Sequence, residues 1–121
     1  MGRPLLWLGR SREDIRAFPP VARQRAGYEL YQVQPGLDAS DWKPMSSVGP
    51  GVREIRIHTD LEHRVIYVAS FREGIYVLHA FEKKSRKTLK ADIELTRARL
   101  RALRSTRERA KTRDRQRGKP S

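Results

Sequence analysis

The sequence contains no cysteine among its 121 residues. This absence excludes a disulfide-bonded scaffold, thiolate zinc sites, iron–sulfur clusters and cysteine nucleophiles. Long apolar runs are also missing, since no stretch approaches the roughly 18 residues that a membrane-spanning helix requires. The short apolar patch at residues 4–8 soon gives way to charged residues and lacks the apolar core of a signal peptide. We therefore expect a cytoplasmic protein with no membrane partner.

The common motifs of nucleotide and metal chemistry are absent too. The sequence has neither the glycine-rich phosphate loop nor the dinucleotide-binding fingerprint. Its three histidines, His58, His63 and His79, show no spacing typical of metal ligands. We expect neither a metal nor a cofactor.

Positive charge dominates the composition. Twenty-seven Lys and Arg face 14 Asp and Glu, which gives a net charge of +13. A protein this basic usually meets a polyanion such as nucleic acid or the ribosome. Eight of the basic residues fall in residues 104–121, where no apolar residue is larger than alanine. We predict a folded domain over residues 1–104 and a basic tail over 105–121 that is disordered or frays from a preceding helix. This tail either is solvated or contacts nucleic acid.

The hydrophobic patterning predicts an α+β fold. Ser11 is the expected N-cap of a first helix, Pro20 begins a second, and Thr88 is the expected N-cap of a last helix with an apolar stripe from Leu89 to Leu103. The proline- and glycine-rich residues 35–51 predict a loop. We expect an N-terminal strand, a helical hairpin, an antiparallel sheet of about four strands and a C-terminal helix. The predicted strands are 4–8, 52–57, 64–69 and 75–81.

Basic residues on adjacent predicted strands, and in the link after the last one, form the strongest candidate site. They are Arg53, Arg56, Arg64, Lys83, Lys84, Arg86 and Lys87. Strands joined by short links are antiparallel, so their ends converge. This set is either a solvated basic surface or a concave phosphate-binding site, because guanidinium groups bind phosphate bidentately.

Aromatic residues and one histidine lie among these cations. Tyr67 is a candidate for stacking on an unpaired base, whereas Tyr76 and Trp42 are better explained by packing. His79 is either a core histidine or a group that transfers protons, because its ordinary pKa suits that task.

Three segments resemble the RelE/ParE superfamily of type II toxins, in particular its phage-derived HigB-like group. They read VREIRI at 52–57, RVIY at 64–67 and VLHAFEKKSRKT at 77–88, and DWKPM at 41–45 is similar as well. The resemblance covers about residues 4–103. It implies a RelE-like fold for that region.

The resemblance implies a toxin that enters the ribosome and cuts mRNA without a metal or cofactor. Its partners would be the ribosome, mRNA and a helix-turn-helix antitoxin similar to HigA. Arg56 and Arg64 would stabilise the phosphate, and His79 would transfer a proton. Lys83 would stabilise the leaving group or donate a proton to it, with Lys84 as the second choice. The residues expected to contact RNA are Arg53, Tyr67, Lys84, Arg86, Lys87 and Lys43.

The family's late aromatic or histidine residue has no counterpart here, because Leu89 occupies that region. Two functions therefore stay open. One is the ribosome-dependent endoribonuclease. The other is a non-enzymatic toxin or nucleic-acid-binding protein on the same fold, for example a gyrase inhibitor.

Overall fold

The computed structural model describes residues 2–118. These residues form five strands and three helices in the order β1-α1-α2-β2-β3-β4-β5-α3. The strands are β1 (Leu5–Trp7), β2 (Trp42–Pro44), β3 (Val52–His58), β4 (Glu62–Val68) and β5 (Ile75–Glu82), and the helices are α1 (Ser11–Arg16), α2 (Pro20–Val33) and α3 (Lys90–Arg117). The predicted α+β fold, with its helical hairpin and C-terminal helix, is confirmed.

The five strands form one mixed sheet in the order β1-β5-β4-β3-β2. The β2–β3, β3–β4 and β4–β5 pairs are antiparallel, whereas β1 runs parallel to β5. The predicted loop over 35–51 contains β2, which the sequence did not indicate. This strand is only three residues long and includes Pro44, a residue that an edge strand tolerates because one side of its backbone needs no partner.

Each face of the sheet packs against helices. The α1–α2 hairpin covers one face, where Ala22, Ala26 and Leu30 pack with Ile55 and Ile57. On the other face, Leu100 and Leu103 of α3 pack with Val52, Ile66 and Leu78. Residues of opposite parity on β3 therefore enter different cores, as expected for an extended strand. We call these the hairpin face and the α3 face.

Two predicted helix caps were wrong, because the sheet takes the hydroxyl groups. Ser11 lies inside α1, and its buried Oγ donates to the carbonyl oxygen of Val77 at 3.1 Å. The Thr88 hydroxyl donates to Glu54 Oε2 at 3.4 Å, and Leu89 holds the N-cap position of α3 without a side-chain cap. Leu89 is consequently exposed and does not join the apolar stripe.

The last helix continues well past the predicted domain end. Residues 105–117, expected to be disordered or to fray from the preceding helix, extend α3 as far as Arg117. The last three residues of the predicted tail, 119–121, lie outside the described residues. Among residues 2–118, no helix has both the length and the apolar character needed to cross a membrane.

Truncation of Leu30 to alanine tests the hairpin-face core. Leu30 is 1% exposed, so Leu30→Ala is expected to lower the free energy of unfolding by about 2–5 kcal/mol through lost burial and the resulting cavity. Urea denaturation followed by circular dichroism measures the change. Leu37→Ala is the matched control because Leu37 is 58% exposed. Equal losses in the two variants would contradict the packing described.

Candidate functional site

The sheet register brings the predicted cations into cross-strand rows. Arg56 pairs with Arg64, and Arg64 pairs with Phe81 on the next strand. Directly opposed residues of neighbouring strands project from the same face of a sheet. Glu54 and Arg56 share the parity of Val52, whose side chain packs against α3. Both arginines therefore lie on the α3 face.

The link after β5 and this group of cations border an open cavity of about 420 Å³. The Lys83 amide donates to the carbonyl oxygen of Glu62 at 2.7 Å and so ties the link to the start of β4. Five cationic side chains and one carboxylate contribute to the lining. The lining residues are Arg56, Glu62, Arg64, Lys83, Lys84, Ser85 and Arg86. The electrostatic potential inside is therefore positive and suits a phosphate.

A buried ion pair supports the floor of the cavity. Glu54 is fully buried, and its Oε1 lies 3.6 Å from Arg64 Nε. The same oxygen lies 3.7 Å from Nζ of Lys43, which pairs with Glu54 across β2 and β3. Arg64 is only 2% exposed, yet its Nη2 donates to Glu62 Oε1 at 3.2 Å. Glu54 thus contacts the guanidinium of Arg64 from outside the cavity, whereas Arg64 itself is part of the cavity lining.

Lys83 titrates in an unusual environment. Burial lowers its pKa, and the positive charge of Arg64 lowers it further. Glu54 opposes this shift, whereas Lys43 and Arg56 reinforce it. An ammonium group with a lowered pKa gives up its proton more readily at neutral pH.

A histidine between two carboxylates lies beside the cavity. His58 Nε2 is 2.5 Å from Asp41 Oδ2, and His58 Nδ1 is 2.7 Å from Glu62 Oε1. Hydrogen bonds with Asp41 and Glu62 raise the pKa of His58, and the hydrogen bond from His58 lowers that of Glu62. His58 therefore orients the carboxylate that lines the cavity.

Two of the predicted RNA-binding residues lie on the opposite face of the sheet. Arg53 projects to the hairpin face, where its Nη1 donates to Asp38 Oδ1 at 2.8 Å and its guanidinium stacks 3.9 Å from the ring centre of Trp42. Tyr67 is 1% exposed in the hairpin-face core. Its ring has no free face for a base, so the structure contradicts the expected stacking role.

His79 shares the α3 face with the cavity but is not among the residues that line it. It is 6% exposed, its Nε2 lies 2.8 Å from Asp92 Oδ1, and its ring stacks on Phe81. These contacts fit a core histidine, and the expected proton transfer by His79 stays a prediction. Lys43 contacts Glu54 behind the cavity, and Lys87 is exposed farther along the link.

Sequence reasoning missed three residues of this site, namely Glu54, Glu62 and His58. Glu54 has the parity of Arg56, which was a usable signal, but its partner Lys43 lies on the strand that was not predicted. His58 and Glu62 pair across the β3–β4 turn. Within residues 2–118, no group of three or more histidines and carboxylates is arranged to hold a metal ion.

Two histidines of the β3–β4 hairpin are expected to titrate on opposite sides of the ordinary pKa of about 6.5. Hydrogen bonds raise the pKa of His58, and burial lowers that of His63. Because the folded pKa of His58 exceeds its unfolded value, its contribution to stability is present at low pH and is lost as the pH rises through the folded pKa. Proton NMR of the imidazole Cε1 positions measures both titrations.

The variant Asp41→Asn provides the internal comparison for this titration. It is expected to lower the pKa of His58 towards its ordinary value and to leave the pKa of His63 unchanged, because Asp41 contacts only the former ring. A pKa of His58 below that of His63 in the parent protein would show that the hydrogen bonds are not formed.

Comparison with known families finds a match over most of the chain. The family model described as "Phage derived protein Gp49-like (DUF891)" matches residues 13–101, which include every residue that lines the cavity. No curated protein matches the sequence. The family is linked to RelE-like proteins, and membership is consistent with a toxin-like role in general. The chain belongs to the phage-derived Gp49-like family.

Proposed function

We propose that this protein is the toxin of a type II toxin–antitoxin system and that it cleaves mRNA on the ribosome without a metal. Within the Gp49-like family, we assign it to the HigB-like group. The observation that carries the proposal is the convergence of Arg56, Arg64 and Lys83 on one cavity. Three cations around one space provide what a phosphate needs as negative charge develops on it in the transition state.

The proposed reaction uses the ribose as its own nucleophile. The 2′-oxygen attacks the adjacent phosphorus, a P–O2′ bond forms and the P–O5′ bond breaks. The products are a 2′,3′-cyclic phosphate and a 5′-hydroxyl. Arg56 and Arg64 stabilise the pentavalent transition state through charge-assisted hydrogen bonds.

Two residues of the cavity are assigned to proton transfer. Glu62 accepts the proton of the 2′-hydroxyl, because its carboxylate lines the cavity beside Arg64. Its lowered pKa keeps it ionised at neutral pH but makes it a weak base. Lys83 donates a proton to the departing 5′-oxygen. Because Glu62 is a weak base, the cations supply the larger part of the rate enhancement.

The proposed partners follow from the charge of this surface. A helix-turn-helix antitoxin similar to HigA would neutralise the toxin by covering the cavity or by making the complex too bulky for the ribosome. Ribosome and mRNA would be the cytoplasmic targets. Lys84 and Arg86, which line the rim, would contact the mRNA backbone.

A second function is favoured by the weakness of the candidate base. The pKa of Glu62 is lowered, and His79 does not line the cavity. The same cations would then bind a nucleic-acid backbone and block translation or gyrase without cutting.

The two arginines of β3, Arg53 and Arg56, provide a matched test of the site. Arg56→Ala is expected to reduce cleavage by about 10²–10³-fold, because it removes one group that stabilises developing charge. Arg53→Ala is the control, since Arg53 projects from the opposite face of the same strand. The measurement maps the 5′ ends of mRNA in a translating extract, with and without active translation.

Three results of this test are decisive. Cleavage that requires translation and is lost only in Arg56→Ala supports the proposal. Translation arrest without new mRNA ends supports the non-enzymatic alternative. Equal losses in Arg53→Ala and Arg56→Ala would mean that the α3-face cavity is not the site of cleavage.

A substitution that keeps the positive charge at position 83 separates proton donation by Lys83 from electrostatic stabilisation. Lys83→Arg retains a cation but removes a proton donor, because a guanidinium group does not give up its proton. Under the proposed assignment, this variant cleaves at least about tenfold more slowly than the parent. The pH dependence of the single-turnover cleavage rate provides a second measurement. In the parent protein this rate is expected to decrease at alkaline pH, because Lys83 loses its proton. Full activity of Lys83→Arg would restrict the role of Lys83 to electrostatic stabilisation.

A further inference from the structure

The C-terminal half of α3 extends beyond the part of the helix that the core requires. Leu103 is the last buried residue of α3, and from Arg104 onward every described side chain except that of Arg107 is exposed. At 1.5 Å per residue, the portion from Arg104 to Arg117 is roughly 20 Å long. Burial of apolar surface therefore does not explain why this segment is helical.

The longer stretch of α3 over residues 97–117 has the composition of a phosphate-binding surface. Residues 97–117 contain nine Arg, one Lys and two acidic residues. Arginine matches phosphate bidentately, whereas lysine acts as a point charge. Between α3 and the loop at Val48 lies a cavity of about 560 Å³, and its lining includes the carboxylate of Glu108 and four arginines. These arginines are Arg97, Arg101, Arg104 and Arg109.

Most of these arginines lack an acidic partner. Among the residues that the structure describes, Arg101, Arg104 and Arg109 form no salt bridge. Arg97 and Arg101 are four residues apart, as are Arg109 and Arg113, so like charges repel along the helix by a few tenths of a kcal/mol per pair. A bound polyanion would relieve this repulsion and stabilise the helix.

One contact fixes the direction of the exposed segment. Arg107 Nε donates to Glu73 Oε2 at 2.8 Å, and its guanidinium lies 4.2 Å from the ring centre of Phe71. The hydrogen bond from Arg107 lowers the pKa of Glu73 to about 2, so this pair stays ionised at neutral pH. Arg107 therefore holds the exposed part of α3 against the rest of the domain near the middle of the segment from Arg104 to Arg117.

We propose that this basic surface, formed by Arg97, Arg101, Arg104 and Arg109, binds the sugar–phosphate backbone of double-stranded RNA. Residues 97–117 contain no aromatic side chain on which an unpaired base would stack, which favours a duplex over a single strand. Residues 104–117 have no apolar side chain larger than alanine, so the helix lacks the apolar face that insertion into a membrane surface needs. The choice of RNA over DNA rests on the proposed function, whereas binding itself requires no cleavage.

The experiment measures the salt dependence of binding with the full chain. A 16-base-pair RNA duplex is titrated by fluorescence anisotropy between about 50 and 200 mM salt, the range in which phosphate contacts change affinity strongly. The triple variant Arg101→Gln, Arg104→Gln and Arg109→Gln is expected to reduce the slope of log K against log[salt] by about 2–3, since each contact contributes roughly 0.9.

A second triple variant controls for net charge. Arg12→Gln, Arg16→Gln and Arg23→Gln removes the same three charges from exposed positions on α1 and α2, which cover the opposite face. It is expected to change the slope by less than about one, the value of a single contact. Urea denaturation of both triple variants shows whether they remain folded. Hydrogen exchange of the parent is expected to slow over residues 104–117 when the duplex is bound.

The outcomes distinguish this proposal from the proposed function. Equal slope changes in the two triple variants would mean that only net charge matters, and would overturn the proposal. So would tighter binding to a DNA duplex, a single-stranded RNA, an anionic phospholipid vesicle or poly-glutamate. Duplex binding through α3 in a protein that never cuts mRNA would support the surface and refute the endoribonuclease.

Discussion

The candidate site depends on the ion pair between Glu54 and Arg64, two buried charged residues on neighbouring strands of the sheet. Removing either charge from water is costly, and the cost is recovered only if the partner and further hydrogen bonds remain in place. Here Lys43 and Thr88 also contact the Glu54 carboxylate, and Glu62 accepts a hydrogen bond from Arg64. The pair holds a permanent cation, itself almost fully buried, in the lining of the cavity that a phosphate would enter.

The two basic surfaces differ in how their cations are positioned. The cavity is built mainly from the sheet, whereas the second surface lies on α3. Across the strands, register fixes Arg56 and Arg64 opposite each other, so their spacing is set by the backbone. Precise placement of this kind suits chemistry at one phosphate. Along α3, arginines recur on an exposed rod with few fixed partners, which suits binding to many phosphates without reference to sequence.

Much of the fold was predictable because its signals are local. The strand pattern of 52–57, 64–69 and 75–81 and the apolar spacing of α2 were correctly interpreted. The short edge strand β2 was not, since three residues with a proline carry too little pattern. That omission hid the contact between Lys43 and Glu54, and the faces of Arg53 and Tyr67 were not separated from those of Arg56 and Arg64. Alternation along β3 separates Arg53 from Arg56 locally, whereas the contact between Lys43 and Glu54 depends on long-range pairing.

The most direct measurement is a crystal structure of the protein bound to a short RNA whose scissile position carries a 2′-deoxyribose, which prevents cleavage. This phosphate is expected to lie within hydrogen-bonding distance of Arg56, Arg64 and Lys83, with the 2′ position facing Glu62. A phosphate bound outside this cavity, with the three cations contacting only solvent, would contradict the proposed function.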